Sequence, residues 1–174
     1  MKHITLIIIT MLLSAGAIAQ QKYDTDFTQT KVMKVSGKTT NKAGHILFDG
    51  NDQLSMTYTD PEGDYFIIEG NMVKINMDGK KADLDAEKVK MVKLQRATLL
   101  NCLSGNWEQA AEDNNADLTV TEEGGLKTVA IVARGKAPRG GYSSVELTYR
   151  TSDGVMTQMV LEEAIGIKNT YVIK

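Results

Sequence analysis

The chain has 174 residues, of which 24% are charged, and a formal net charge of −2. Its 20 Lys and Arg residues stand against 22 Asp and Glu residues without a long basic run, which excludes the electropositive surface that nucleic-acid binding requires. A single cysteine, Cys102, excludes an internal disulfide, and its place in an apolar segment indicates a small core residue.

The first 19 residues have the pattern of a secretory signal peptide. A short basic start at residues 2–3 precedes an apolar run at residues 4–13, and the sequence Ala-Ile-Ala at residues 17–19 forms a small-residue cleavage site. The apolar run is shorter than the roughly 20 residues that cross a bilayer as a helix. Because no cysteine follows the cleavage site, we expect an exported, non-lipidated protein that starts at Gln20 and forms one domain over residues 20–174.

The mature sequence begins with an all-β pattern. Residues 27–35 predict a first strand and residues 36–43 a loop, after which turn residues divide residues 44–77 into four short strands. Within this stretch residues 54–58 alternate apolar and polar side chains, which is the period of a strand with one buried face. Residues 60–64 contain a proline and a glycine and predict the turn into the next strand. A meander of this kind presents an apolar sheet face that another element must cover.

Four spaced motifs run along this part of the chain: Phe27-x-Gln29-x-Lys31, Gly44-x-Ile46-x-Phe48, Leu54-x-Met56-x-Tyr58-x-x-Pro61 and Ile67-x-x-Gly70-x-x-Val73. In order and spacing they resemble the LolA family of outer-membrane lipoprotein carriers, most closely its shortened members from Bacteroidota. The resemblance implies a mainly β fold with an α lid, in which an open, strongly curved antiparallel sheet (an incomplete barrel) of about ten strands wraps around one main helix. It implies a periplasmic carrier that holds lipoprotein acyl chains in an apolar concave cavity and ferries them towards the outer membrane. The implied partners are lipoprotein acyl chains, an inner-membrane lipoprotein-release complex and an outer-membrane acceptor.

The sequence departs from the family pattern at two places. In the family an amphipathic helix precedes the first strand and forms part of the lid, but here the residues between the cleavage site and Phe27 suffice for only a turn or two of helix. Well-studied proteobacterial members carry an arginine followed by proline where this chain has residues 49–52, and that arginine helps cargo transfer between membrane receptors. Residues 49–52, Asp-Gly-Asn-Asp, predict an ordinary tight turn, so that role is not carried over to any of them.

Residues 84–104 change to the period of a helix. Apolar positions form one helical stripe with a second row beside it: Met91, Leu94, Thr98 and Cys102, then Val92, Leu99 and Leu103. We expect the preceding acidic residues in the first helical turn, where they complement the helix dipole: Asp83, Asp85 and Glu87. Gly105 ends the helix, and Asn106 with Gln109 is expected to cap a further short turn at Trp107, which packs the joint. The helix either fills the groove of the sheet or acts as a lid, and only the resemblance, which places the family's second helix here, bears on that choice.

The remainder predicts strands again, divided by turns: residues 118–120, 126–133, 145–149, 155–161 and 171–173. A glycine-rich loop at residues 134–141 carries a small basic tip of Arg134, Lys136 and Arg139. The tip is either solvated surface or a contact for acidic lipid headgroups or for a receptor.

The sequence contains few of the residues that a catalytic site requires. His45 is the one histidine after the predicted cleavage site, and no histidine-rich metal cluster or Ser-His-Asp arrangement has the required partners nearby. The sequence therefore predicts no catalytic residue, no metal site and no cofactor. We expect a binding protein rather than an enzyme, a monomer that contacts no nucleic acid.

The predicted acyl-binding face joins the alternating row of residues 54–58 to the return strand and the helix: Leu54, Met56, Tyr58, Phe66, Met91 and Leu99. Of the nine methionines, all but Met1 and Met11 follow the cleavage site, and their flexible side chains suit either an acyl-chain cavity or an irregular core. Two alternatives stay open on the same fold. One is an envelope sensor domain that reads misplaced lipoproteins, and the other is an adaptor whose concave face is filled.

Overall fold

The structure, a computed structural model, describes residues 21–138 and 140–174. The predicted signal peptide (residues 1–19), the expected new terminus Gln20 and Arg139 of the basic tip lie outside those ranges. Eleven strands and two helices follow in this order: β1 (Tyr23–Met33), β2 (Lys38–Phe48), β3 (Gln53–Asp60), β4 (Glu62–Glu69), β5 (Met72–Met77), β6 (Lys80–Asp85), α1 (Lys90–Leu103), α2 (Trp107–Asp113), β7 (Ala116–Glu123), β8 (Leu126–Ala133), β9 (Tyr142–Arg150), β10 (Met156–Glu163) and β11 (Ile167–Ile173).

All eleven strands belong to one antiparallel sheet, in the order β6-β5-β4-β3-β2-β1-β11-β10-β9-β8-β7. The chain meanders from β1 out to the edge strand β6, crosses through α1 and α2 to the opposite edge strand β7, and meanders back. β11 then pairs with β1 in the middle of the sheet, from Phe27 opposite Ile173 to Met33 opposite Ile167. The sheet is open, because its two edge strands are not paired with each other, and the predicted incomplete barrel is confirmed.

One face of the sheet, here called the inner face, packs against the helices and holds the core. The alternation predicted for β3 is confirmed, since Leu54, Met56 and Tyr58 are all buried. The corresponding row on β9 is buried as well: Val145, Leu147 and Tyr149. The single cysteine lies in this core, as predicted, and burial raises the pKa of its thiol to about 12. Trp107 packs the helix joint with its ring centroid 5.6 Å from that of Tyr149, which agrees with the prediction for it.

Gly44 lies at the centre of the inner face, where there is no room for a side chain. It lies opposite Phe27 on β1 and opposite Tyr58 on β3. A Cβ at this position would lie 2.3 Å from the backbone oxygen of Thr57 and 3.0 Å from Cζ of Phe27. The two aromatic rings meet edge to face above the glycine, with centroids 5.3 Å apart. The glycine is therefore what allows this aromatic pair to form across β2.

The start of the main helix differs from the prediction. Residues 80–85, expected partly as a turn and partly as helix, form the edge strand β6 in register with β5, and α1 begins only at Lys90. Asp83 and Asp85 therefore lie in a strand and Glu87 in the following turn, and the first turn of α1 contains no acidic residue. The apolar alternation of β6 is short, with only Ala82 and Leu84 between charged residues, because an edge strand needs less apolar surface than an inner strand.

Two further expectations are wrong. The predicted loop at residues 36–43 is mostly strand, because β2 begins at Lys38 and pairs with β1 along its whole length. Asn106 precedes α2 as predicted, but it makes no side-chain capping hydrogen bond with that helix. None of the helices in the described part of the chain is long and apolar enough to span a membrane.

Candidate functional site

A cavity of about 300 Å³ lies between the inner face of the sheet and α1. Met77 of β5 and Tyr142 of β9, from opposite flanks of the sheet, both line it, so the sheet curls around the cavity. One part of its wall is apolar: Met33, Met56, Tyr58, Phe66, Met77, Leu99, Tyr142, Met159 and Leu161. The other part is polar: Gln29, Lys31, Lys38, Thr40, Lys42, Asp78, Gln95, Glu163, Asn169 and Tyr171.

Four of the six residues of the predicted acyl-binding face meet at this cavity. Met56 and Phe66 are directly opposite each other on β3 and β4, Tyr58 lies two residues further along β3, and Leu99 of α1 covers them. Four methionines also line the wall: Met33, Met56, Met77 and Met159. Unbranched thioether side chains adapt to guests of different shape, so the wall is deformable as well as apolar.

The other two predicted residues lie elsewhere. Leu54 is buried in the core beside the cavity and does not line it. Met91 is 45% exposed and packs against Gly140. A Cβ atom added to Gly140 would lie 1.8 Å from the Cγ atom of Met91. The physical reason is the late start of α1, which places Met91 in the first helical turn, away from the strands that line the cavity.

The polar wall contains a buried network that the sequence analysis missed. Gln29 Nε2 donates to Asn169 Oδ1 at 2.9 Å and to the hydroxyl of Tyr171 at 3.2 Å. Asn169 Nδ2 donates to Glu163 Oε1 at 3.3 Å, and burial raises the pKa of that glutamate. Gln29 and Asn169 are each only 7% exposed. One signal for this network was present, because Gln29 follows the buried Phe27 by two residues and therefore shares its face.

Lys42 closes the rim of the cavity in a second polar cluster. Its Nζ lies 2.5 Å from Asp64 Oδ2, 3.0 Å from Asp78 Oδ1 and 5.6 Å from the ring centroid of Tyr58. Burial alone would lower the pKa of Lys42, but the hydrogen bonds to the two carboxylates raise it above its usual value. Hydrogen bonding to Lys42 in turn lowers the pKa of Asp78. Because two carboxylates already neutralise this ammonium, the rim is not a free anion site.

A second cavity, of about 750 Å³, lies at the opposite end of β1. Its wall includes Trp107 and Tyr149, with the Nζ of Lys127 4.6 Å above the tryptophan ring. Most of the remaining wall is charged or polar and belongs to strand ends and turns: Gln21, Lys22, Asp24, Thr25, Glu122, Arg150, Thr151, Asp153 and Lys174. This cavity is larger and offers about as much apolar surface as the first. We place the candidate site beneath α1 because four of the six residues predicted to bind acyl chains meet there and none of the six lines the second cavity.

The described residues offer little for catalysis or metal binding. Across residues 21–138 and 140–174, no group of three or more His, Cys, Asp and Glu side chains is arranged to hold a metal ion. His45 lies on the outer face of the sheet, with Nε2 2.8 Å from Asp24 Oδ1 and Nδ1 3.0 Å from Asp26 Oδ1. It therefore does not line the cavity.

Comparison with known proteins identifies one family. The family model described as outer membrane lipoprotein carrier protein LolA matches residues 19–174. A solved LolA superfamily protein from Nitrosomonas europaea is 12% identical, with 90% of this chain and 85% of that chain covered and a TM-score of 0.42. The MucA/MucB complex of Pseudomonas aeruginosa gives 14% identity, 88% and 50% coverage and a TM-score of 0.43. LprF from Mycobacterium bovis gives 12% identity, 89% and 85% coverage and a TM-score of 0.38. Likeness at this level specifies neither ligand nor partner, and no curated protein gave a match to the sequence.

Proposed function

The chain belongs to the LolA outer membrane lipoprotein carrier family, and on that premise we propose that it binds lipoprotein acyl chains beneath α1 and ferries them towards the outer membrane. The observation that carries the proposal is the apolar wall of the cavity, where Met56, Tyr58 and Phe66 of the sheet face Leu99 of the helix. A filled adaptor core would have no such space. The cavity thus supports a guest-binding protein over that alternative.

Acyl chains are suitable guests on energetic grounds. Each methylene moved from water into an apolar site contributes about 0.8 kcal/mol, so even part of one chain provides a useful affinity. The cavity of about 300 Å³ is at the lower end of the range for ligand pockets, roughly 300–1,000 Å³. Entry of a whole acyl chain therefore requires α1 to move away from the sheet. The helix is linked to the sheet through Arg96, whose Nε donates to the backbone oxygen of Gly70 at 2.6 Å.

The cellular part of the proposal follows from the sequence. The signal-peptide pattern of residues 1–19 supports export to the periplasm, with residues 20–174 acting there as a single, monomeric, non-catalytic domain. A carrier of this kind takes its cargo from an inner-membrane lipoprotein-release complex and gives it to an outer-membrane acceptor. Release needs such an acceptor because the free energy of acyl burial opposes it.

Site-specific photo-crosslinking tests the proposal in cells. Crosslinkers at Met56 and Phe66, which line the cavity, are expected to capture lipoproteins. Crosslinkers at Ser55 and Thr57, on the outward row of the same strand, serve as matched controls and are expected to capture none. Mass spectrometry identifies the captured species. Capture by both rows alike, or no acylated species at either row, would contradict a carrier function for this cavity.

A further inference from the structure

Gln29 places an unused hydrogen-bond acceptor at the cavity. Its Nε2 atom has two partners, Asn169 and Tyr171, but its carbonyl oxygen, Oε1, accepts no hydrogen bond from any described residue. The side chain is 93% buried and belongs to the cavity wall, and Oε1 itself is closed to solvent. A guest therefore reaches this oxygen only when α1 moves away from the sheet, the movement that entry of an acyl chain also requires. A buried carbonyl without a donor is costly, by about 1–3 kcal/mol, so a guest that supplies a donor removes that cost.

The direction of the network fixes which atom of Gln29 is left over. When it is ionised, the Glu163 carboxylate can only accept, so Asn169 points its amide nitrogen at Glu163 and its oxygen at Gln29. Gln29 then has to present its nitrogen to Asn169 and keep its oxygen free. The unsatisfied group is thus an acceptor, and its ligand must be a donor.

The charges around the cavity balance, so they do not select a charged guest. Three lysines, Lys31, Lys38 and Lys42, face the carboxylates of Asp64, Asp78 and Glu163, with Asp64 and Asp78 both paired to Lys42. A neutral donor enters such a site at a lower desolvation cost than an ammonium does. Among the linkages that join an acyl chain to its carrier molecule, an ester or an ionised fatty acid has no donor, whereas an amide has an N–H group.

We propose that Gln29 Oε1 accepts a hydrogen bond from the amide N–H of an N-acylated peptide, so that the cavity prefers amide-linked over ester-linked acyl chains. This inference rests on the proposed function and specifies which group of the cargo the polar wall binds. The apolar wall holds the chain, and Gln29 recognises the group at its polar end. A single neutral hydrogen bond to a buried acceptor corresponds to a preference of about tenfold.

Three probes with the same palmitoyl chain test the preference on the mature protein: an N-palmitoyl dipeptide, its analogue methylated at the acylated nitrogen, and the ester-linked analogue. Affinity is measured by displacement of a fluorescent fatty-acid probe. The wild-type protein is expected to bind the N-palmitoyl dipeptide about tenfold more tightly than either analogue. Gln29→Met, which keeps the side-chain length and removes the acceptor, should bind all three probes alike. Gln95→Met makes the same exchange at another position of the cavity wall and should keep the preference.

Each outcome is decisive. Equal binding of the three probes by the wild-type protein overturns the role of Gln29 while leaving acyl binding intact, and it does so even if Gln29→Met fails to fold. A preference that survives in Gln29→Met also overturns it. Binding of none of the three probes overturns both this inference and the proposed function.

Discussion

The carrier hypothesis makes α1 a cover that must yield to cargo, and two leucines of that helix test it. Leu99 is 6% exposed and lines the cavity, whereas Leu103, one turn further on, is 0% exposed and lies in the core away from it. Leu-to-Ala changes in sealed cores cost about 2–5 kcal/mol, increasing with the empty space that remains. Because the side chain of Leu99 already borders a void, it loses fewer packing contacts on truncation.

We therefore expect Leu103→Ala to lower the free energy of unfolding by about 3–5 kcal/mol and Leu99→Ala by about 2 kcal/mol or less. Acyl binding should follow the opposite order. If Leu99→Ala removes about 40 Å² of contact with the guest, the lost burial is worth about 1 kcal/mol, or about fivefold in affinity. Leu103→Ala should leave affinity nearly unchanged.

Urea unfolding followed by tryptophan fluorescence measures the stability difference, because Trp107 is the single tryptophan and is buried against Tyr149. Displacement of a fluorescent fatty-acid probe measures binding. Equal and large stability losses in the two variants, with no acyl binding by the wild-type protein, would refute the reasoning. In that case the space under α1 would be an imperfection of a sealed core.

Three further predictions concern the fold and its processing. Gly44→Ala should lower stability by about 1–3 kcal/mol, seen as a lower melting temperature, because the new Cβ would lie 2.3 Å from the backbone oxygen of Thr57; an unchanged melting temperature would contradict the close packing. Hydrogen bonds to its two aspartate partners raise the pKa of His45 above 6.5, so its contribution to stability is complete below pH 6.5 and is lost as the pH rises through the higher folded-state value. His45→Gln should accordingly destabilise the protein at pH 5.5 and have little effect at pH 9 in thermal melts, and equal effects at both pH values would disprove the charged interaction. N-terminal sequencing of protein from the periplasm should begin at Gln20, and an intact Met1 would rule out cleavage.

The parts of the fold that the sequence could predict are those governed by local patterns. The alternation at residues 54–58 was enough to assign the inner face of β3, and it led directly to Met56 and Tyr58 at the cavity. β6 was missed because its apolar residues are only Ala82 and Leu84, and because the strand is stabilised by its pairing with β5, which no local pattern reveals. Met91 was placed on the inner stripe by its helical spacing, but α1 begins only one residue before it, so it lies at the end of the helix, beyond the strands that line the cavity.

The polar wall of the cavity could not be predicted from local sequence patterns, for a different reason. Gln29 and Asn169 are 140 residues apart in the chain and meet only because β1 pairs with β11. The register of that pair decides whether Gln29 reaches Asn169 and Tyr171 or solvent. Its place on the inner face could be predicted from Phe27, but its partners, and with them the free carbonyl, required the assembled sheet.

The pairing of β1 with β11 also has a consequence for how the protein folds. The meander from β1 to β6 can form through neighbouring strands, and so can the one from β7 to β11, but the pair that joins them closes a loop of nearly the whole chain. Closing a loop of that length is entropically costly and therefore slow. Until it happens, β1 and β11 are two unprotected sheet edges, which are templates for pairing with other chains. The step that completes the cavity is thus also the step that covers two of the four strand edges exposed while the two meanders are separate.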